Sequence, residues 1–265
     1  MKSTHDHSNV KVQGLIVSEH KGVPEVFHVG ATAGYRTFLA RYPEQHVSMA
    51  ILCNVSNVNT PKVGRQAAQV FLAGHLKEDK PPGVNVSVQE LESKAGLYRN
   101  PDTHEVQHFF VKGGKLMVGF EEATELTPTA PNKFRTADAP VEVIFEGGPS
   151  GEPLQMQVRR VSERYPPTVY TAVVAANPSR TQLTEYAGSY YSEELDVTYT
   201  VTVKNGKLLV RLRPAPEVQM EPTYADAFRV RAVTFIKFTR DAMGKVDGFD
   251  IFTGRIRRLR FVRHS

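Results

Sequence analysis

Tryptophan is absent from the 265 residues, and cysteine occurs once, at Cys53. One thiol permits no internal disulfide, so the fold must be held by ordinary apolar cores. Cys53 lies in the apolar run Val47–Cys53 and is expected to pack as a small hydrophobe. No apolar run approaches the about 18 residues that a transmembrane helix requires. The opening MKSTHDHSNVKVQG lacks the roughly 7–15-residue apolar stretch of a secretory signal. Charge of one sign is not in large excess: 33 basic and 28 acidic residues give +5. Much of that excess sits in Arg255, Arg257, Arg258, Arg260 and Arg263, with Ile256, Leu259 and Phe261 between them. This is the pattern of a terminal strand with one face in a core and one in water. No nucleic-acid motif accompanies it, so neither a nucleic-acid nor a membrane partner is expected. His5-Asp6-His7 sits in a polar tail without the rigidity a metal site needs, and no metal or cofactor is expected.

What is present is short alternating apolar runs separated by turn residues. Val10 to Ser18 reads as a strand, Glu19 to Gly22 as a turn, Pro24 to Val29 as the antiparallel return, and Val47 to Asn54 as a third strand, with an extended piece between Arg36 and Tyr42. Pro61 to Leu76 reads as a helix capped by Thr60, with Val63, Ala67, Val70 and Phe71 on its apolar side. Three strands and one helix leave part of a sheet uncovered, so this unit looks incomplete by itself. Lys77 to Asn85, charged and carrying two prolines and a glycine, reads as a linker.

The remainder is an internal repeat. Ala95-Gly96-Leu97-Tyr98 matches Ala187-Gly188-Ser189-Tyr190, Lys112 to Leu116 matches Lys204 to Leu208, and Phe134-Arg135 matches Phe228-Arg229. Leu91 and Leu183 lead the two copies, and Asn205-Gly206 between alternating runs is a hairpin signal. An offset of about 92 residues exceeds a solenoid unit and suits two tandem all-β domains. The expected fold class is therefore an α+β piece of antiparallel strands and a helix followed by two antiparallel barrels, mainly β overall. The expected boundaries are 1–78, 86–172 and 183–265, with a second linker from Ala175 to Gln182.

Chemistry concentrates between Pro24 and Asn54. His28 interrupts a strand, and Gly30, Gly34 and Tyr35 follow; a glycine on a strand leaves room for another molecule to approach the backbone. His28-Val29-Gly30-Ala31-Thr32-Ala33-Gly34-Tyr35 resembles the third active-site box of the penicillin-recognising serine hydrolases, the group of serine β-lactamases, D-aminopeptidases and family VIII esterases. There a strand carries H-x-G or K-T-G, followed by a small-residue turn and G-[FY]. The order of hairpin, H-x-G strand, apolar strand ending in asparagine, and amphipathic helix is also similar to the end of that catalytic domain. The tandem repeat resembles the lipocalin-like accessory barrels of D-aminopeptidase-like members. The resemblance implies that His28, Gly30, Gly34 and Tyr35 form one wall of a substrate site.

The same family places its nucleophile in S-x-x-K and a tyrosine in Y-x-N, both upstream of this box. Ser18-Glu19-His20-Lys21 satisfies the first pattern but ends a strand and runs into Gly22, so Ser18 and Lys21 do not share a helical face. Tyr98-Arg99-Asn100 satisfies the second but lies inside the β repeat, where Tyr98 reads as a barrel aromatic. With no nucleophile paired to a base, the chain is expected to be inactive by itself. The alternative is a barrel module that binds a small ligand or peptide without catalysis. His104 and His108 are expected as a solvated pair on one strand face, and Gly113-Gly114 as a hairpin turn.

Overall fold

The computed structural model describes residues 14–77, 84–120, 123–136, 141–147, 153–160, 166–212, 214–230, 234–253, 256 and 258–264. Strand makes up 56% and helix 12%, which settles the class as mainly β. One four-stranded antiparallel sheet is followed by two closed eight-stranded antiparallel barrels.

The sheet is a meander of β1 (Ile16–His20), β2 (Val23–Thr32), β3 (Tyr35–Tyr42) and β4 (Val47–Cys53). It has four strands where three were expected. Tyr35–Tyr42 forms a full strand because Phe38, Ala40 and Tyr42 alternate inward between exposed Leu39 and Arg41. The first turn is also tighter than expected. Lys21 (φ 49°) and Gly22 (φ 83°) make it alone, and His20 stays in β1. Val10 to Gln13 and His5 to His7 lie outside the described residues.

Helix α1 (Thr60–Phe71) packs on one face of the sheet, and its register differs from the apolar periodicity. Its cap is Asn59, whose side chain accepts from the Lys62 N–H at 3.0 Å, rather than Thr60. The buried face is Thr60, Gly64, Arg65 and Ala68, continued by Leu72, while Val70 and Phe71 are 74% and 68% exposed. Two features outweigh the apolar stripe. A Cβ on Gly64 would stand 2.4 Å from Phe38 Cδ1, so this glycine permits close approach to the sheet. One residue on, Arg65 reaches the fully buried Glu25, donating from Nη2 at 2.6 Å and from Nε at 3.1 and 3.2 Å. Tyr42 Oη (2.9 Å) and Ser18 Oγ (3.0 Å) donate to the same carboxylate.

The first barrel comprises β5 (Gly96–Arg99), β6 (Val106–Lys112), β7 (Lys115–Val118), β8 (Thr124–Ala130), β9 (Lys133–Thr136), β10 (Val141–Gly147), β11 (Pro153–Arg160) and β12 (Thr168–Val173), preceded by α2 (Val88–Glu92). The second comprises β13 (Gly188–Ser192), β14 (Val197–Lys204), β15 (Lys207–Leu212), β16 (Val218–Pro222), β17 (Ala227–Val230), β18 (Thr234–Arg240), β19 (Val246–Thr253) and β20 (Leu259–His264), preceded by α3 (Arg180–Glu185). Each strand neighbours the next, and β12 on β5 and β20 on β13 close the barrels without free edges. The repeat is visible in the bonding: Tyr98 Oη donates to the Lys94 carbonyl at 3.2 Å, and Tyr190 Oη to the Tyr186 carbonyl at 2.7 Å. Leu91 and Leu183 are the buried residues of α2 and α3. Gly113-Gly114 and Asn205-Gly206 make the expected hairpin turns with positive φ at both positions. Helix α3 begins inside the stretch expected as a linker, because Ser179 and Gln182 form a reciprocal capping box there.

Side chains fill the second barrel: Tyr190, Phe228, Phe238, Phe249 and Phe261 are all essentially buried, with ring centroids 4.8–5.8 Å apart between neighbouring rings. In β20, Leu259 and Phe261 point inward as expected, whereas Ile256 stands before the strand and is exposed. Arg258 and Arg263 are engaged within the fold, Arg258 Nε lying 3.1 Å from Asp250 and Arg263 donating to the Glu185 and Val246 carbonyls at 3.0 and 3.1 Å, while Arg255 and Arg257 lie outside the described residues.

Candidate functional site

The H-x-G strand is β2. It pairs with β1 only between Val23 and Phe27, Phe27 facing Ile16. From His28 to Thr32 it pairs with β3 on one side, and among the described residues no strand pairs with its other edge. His28 is exposed on the face opposite α1, beside Leu39, its cross-strand partner. Leu52, facing Thr37 across the β3–β4 pair, is 79% exposed on the same side. Among the described residues, this stretch of β edge has no strand on its outer side and adjoins a sheet face on which Leu39 and Leu52 are exposed. An extended peptide-like ligand is recognised by such an edge through alternating backbone donors and acceptors.

Both glycines of the box lie in the β2–β3 hairpin. Gly30 faces Thr37, and a Cβ there would lie 2.3 Å from Thr37 Oγ1, so its missing side chain accommodates the neighbouring strand. In the β2–β3 turn the positive φ falls on Ala33 (45°) and not on Gly34. Tyr35 opens β3 and is exposed. His28, Gly30, Gly34 and Tyr35 thus share one hairpin, but none is brought against a serine, lysine or second base among the described residues. Ser18 is in β1, its hydroxyl donating to Glu25, and among the described residues no lysine is bonded to it. Tyr98 and Asn100 lie in the first barrel, where Asn100 Oδ1 accepts from the Asp102 and Thr103 N–H groups at 2.9 Å and orders the loop after β5.

A second polar cluster escaped the sequence reading. Val88–Ala123, Phe145–Met156 and Val169–Ser265 form one compact unit, and within it His104 meets Tyr224. His104 is not on a strand face with His108. It occupies a left-handed position (φ 56°) before β6, its Nδ1 2.5 Å from Tyr224 Oη and its ring 4.4 Å from that of Phe252. His108, on β6, packs beside Phe110 and Phe120. The pair is therefore half-buried rather than solvated. Around the buried Tyr224 ring stand the Arg99 guanidinium at 5.4 Å and Lys237 Nζ at 5.5 Å. Burial, reinforced by Arg99 and Lys237, holds the His104 imidazole below its ordinary value. Burial likewise lowers Lys237, aided by Arg99 and Arg240 and opposed by Asp226.

Next to this cluster is an open pocket of about 260 Å³ bordered by Pro178, Glu185, Tyr186, Tyr224, Asp226 and Arg240. Arg240 donates to Asp226 at 2.8 and 3.0 Å and to Glu185 at 2.8 Å, and Tyr186 Oη donates to Asp226 at 2.8 Å. Burial raises Asp226, but the bonds from Arg240 and Tyr186 outweigh it and hold the carboxyl below its ordinary value. Burial and then Asp226 push the Tyr186 phenol up to about 12. Both groups therefore keep their neutral-pH charge states, and the network is a fixed wall.

Residues 172–263 match a family described as a domain of unknown function, DUF3471, which is the C-terminal domain of β-lactamase-related proteins. The second barrel is thus similar to the C-terminal domains of that group. Among solved structures, similar chains include SurE with D-Leu (14% identity, TM-score 0.30, covering 60% of this chain and 38% of that one) and SurE (16%, 0.29, 60% and 37%). Another is the octameric penicillin-binding protein homologue from Pyrococcus abyssi (17%, 0.25, 60% and 36%). This chain spans less than two-fifths of the length of those proteins. No curated protein matches it.

Proposed function

We propose that this chain is the C-terminal part of a penicillin-recognising serine hydrolase, a peptidase or esterase by type. Residues 1–78 contribute one wall of the catalytic site, and two lipocalin-like barrels, 86–172 and 183–265, follow. The observation that carries the reading is the edge of β2 from His28 to Thr32, which no strand pairs among the described residues, beside a sheet face whose Leu39 and Leu52 are exposed. A substrate carbonyl can accept from a strand N–H at such an edge, and His28 stands where it can hydrogen-bond a neighbouring anionic group. The match of residues 172–263 to a domain that ends β-lactamase-related proteins supports the same reading. The nucleophile and base are supplied by sequence outside the 265 residues, so the chain alone does not turn over substrate.

Nitrocefin and p-nitrophenyl ester hydrolysis by the purified chain, with and without Ser18→Ala, tests this. No turnover by either protein is expected. Turnover that Ser18→Ala abolishes would make Ser18 a nucleophile and overturn the assignment. A fusion placing an S-x-x-K and Y-x-N segment ahead of Met1 is expected to gain ester hydrolysis that His28→Ala reduces.

A further inference from the structure

We propose that Arg99, Lys237, His104 and Tyr224 form a binding site for an oxyanion, the carboxylate or phosphate group of a small ligand. The reasoning starts from unbalanced charge. Arg99 engages the Tyr224 ring, but no carboxylate among the described residues pairs with it, and its Nε is buried without a hydrogen-bond acceptor. A buried, unaccepted guanidinium N–H is costly, and an oxyanion is its natural complement.

Two acidic residues stand near the cluster, and neither pairs with Arg99. Asp226 accepts from Arg240 and Tyr186 and forms an ion pair with Lys237 at 3.8 Å, and Asp250, whose charge also acts on His104, lies 3.1 Å from Arg258 and 3.6 Å from Arg260. Lys237 spends one N–H on the Ala225 carbonyl at 2.6 Å, which keeps the ammonium beside Tyr224 and leaves two further donors. His104 and the Tyr224 hydroxyl complete the ring of polar groups, and Phe252 backs the imidazole. Two cations and an imidazole thus converge on one phenol; Lys237 has Asp226 as its ion-pair partner, and Arg99 has no carboxylate partner among the described residues. Burial first, and the neighbouring Arg99 charge after it, lowers the basicity of both His104 and Lys237. The pocket that shares Tyr224 and Asp226 gives the remainder of a ligand room outside the barrel. Tyr224 and Lys237 belong to the second barrel, Arg99 and His104 to the first, so the anion would bridge the two.

Titration of the full chain with inorganic phosphate, and separately with acetate, at fixed pH and ionic strength tests this, read from the His104 ring resonances. A saturable shift is expected with at least one anion, and the anion that binds more tightly identifies the group. Arg99→Gln is expected to weaken binding by about tenfold or more, the loss of one charge-assisted hydrogen bond, with Arg99→Lys intermediate. Lys237→Gln carries the same expectation and serves if Arg99→Gln does not fold. No saturable shift with either anion, or equal affinity in the wild type and the folded variant, would overturn the site.

Discussion

Replacing Arg65 with methionine removes the charge that fastens α1 to the four-stranded sheet while keeping most of the side chain's apolar stem. Glu25 has no exposed surface and the Arg65 side chain only 7%, so neither charge is relieved by water when the other is lost. The variant leaves the carboxylate with donors from Tyr42 and Ser18 alone, and the contact of the guanidinium with the Phe27 and Phe38 rings, at 5.0 and 5.7 Å, disappears. Breaking a buried pair by removing one partner costs about 3–5 kcal/mol. Cys53, the sole thiol, lies half-buried in β4, so its labelling by a thiol reagent in rising urea reports opening of this sheet and not of the barrels. A loss of about 3 kcal/mol speeds that labelling by about two orders of magnitude when opening is a rapid pre-equilibrium. Removing both charges with Arg65→Met and Glu25→Leu is expected to recover part of the loss. Recovery is incomplete because Tyr42 Oη and Ser18 Oγ then lack their acceptor, at about 1–3 kcal/mol each. A single Arg65→Met variant that labels at the wild-type rate would refute the view that the ion pair sets the register of α1.

Gly64→Ala should destabilise the same sheet by about 1–3 kcal/mol, against the roughly 1 kcal/mol that helix propensity favours alanine, because the new Cβ meets Phe38. The urea midpoint of Cys53 labelling gives the sign. In the barrels, Tyr190→Phe is expected to cost about 1 kcal/mol by deleting the 2.7 Å bond to the Tyr186 carbonyl, and Tyr98→Phe no more than that, since its bond is 3.2 Å. Equilibrium unfolding followed by circular dichroism measures both. His104 and His108 are both held below 6.5, first of all by burial, so the unfolded chain binds protons that the folded one refuses. Their contribution to stability is complete above about pH 6.5 and is lost as the pH falls below it toward the folded values. The urea midpoint should therefore drop between pH 7 and pH 5, and the double variant His104→Gln, His108→Gln should flatten that dependence.

The architecture was readable where local chemistry and tertiary demand agree. Gly113-Gly114 and Asn205-Gly206 prescribe hairpins by their backbone freedom, and alternation along Val197–Val203 prescribes a strand with one face inward. Helix α1 was not readable in detail. Its most apolar stripe, Val63, Val70 and Phe71, is the obvious choice for a core, yet the sheet-facing side is decided by Gly64 and Arg65, whose partners Phe38 and Glu25 lie 26 and 40 residues away. Periodicity cannot express a partner that distant. The four residues of the H-x-G box were picked out together and do share a hairpin, but the role of Gly30 depends on Thr37 across the strand. His104, Tyr224, Arg99 and Lys237 were missed because they come from separate strands and turns, joined only when the chain folds.

The duplication contains a signal for that cluster, found in how the copies differ. Positions shared between them are those each barrel needs to fold: the leucine of the leading helix, the tyrosine bonded to the carbonyl four residues earlier, and the hairpin turn. Even the left-handed position before the second strand is kept, with His104 at φ 56° in one copy and Asp196 at φ 51° in the other. Because the backbone slot is common, architecture alone does not select histidine, and aspartate satisfies it. The same offset sets Arg99 against Tyr191 and Lys94 against Tyr186, and the offset after the insertion sets Ala130 against Tyr224 and Asn132 against Asp226. In each of these five pairs one residue belongs to the pocket wall or to the cationic ring around Tyr224 and its counterpart does not; among the counterparts, Tyr191 bonds Asp196 and Lys94 donates to the Glu90 carbonyl. Two folds of the same plan, each needing only one set of barrel residues, thus diverged at the positions that build the oxyanion site. Exchanging His104 for aspartate, the residue of the sister copy, should therefore leave the β5–β6 turn intact by circular dichroism while weakening phosphate binding, because it sets a carboxylate against the anion. A variant that binds phosphate as the wild type does would mean that the divergence at this position is neutral.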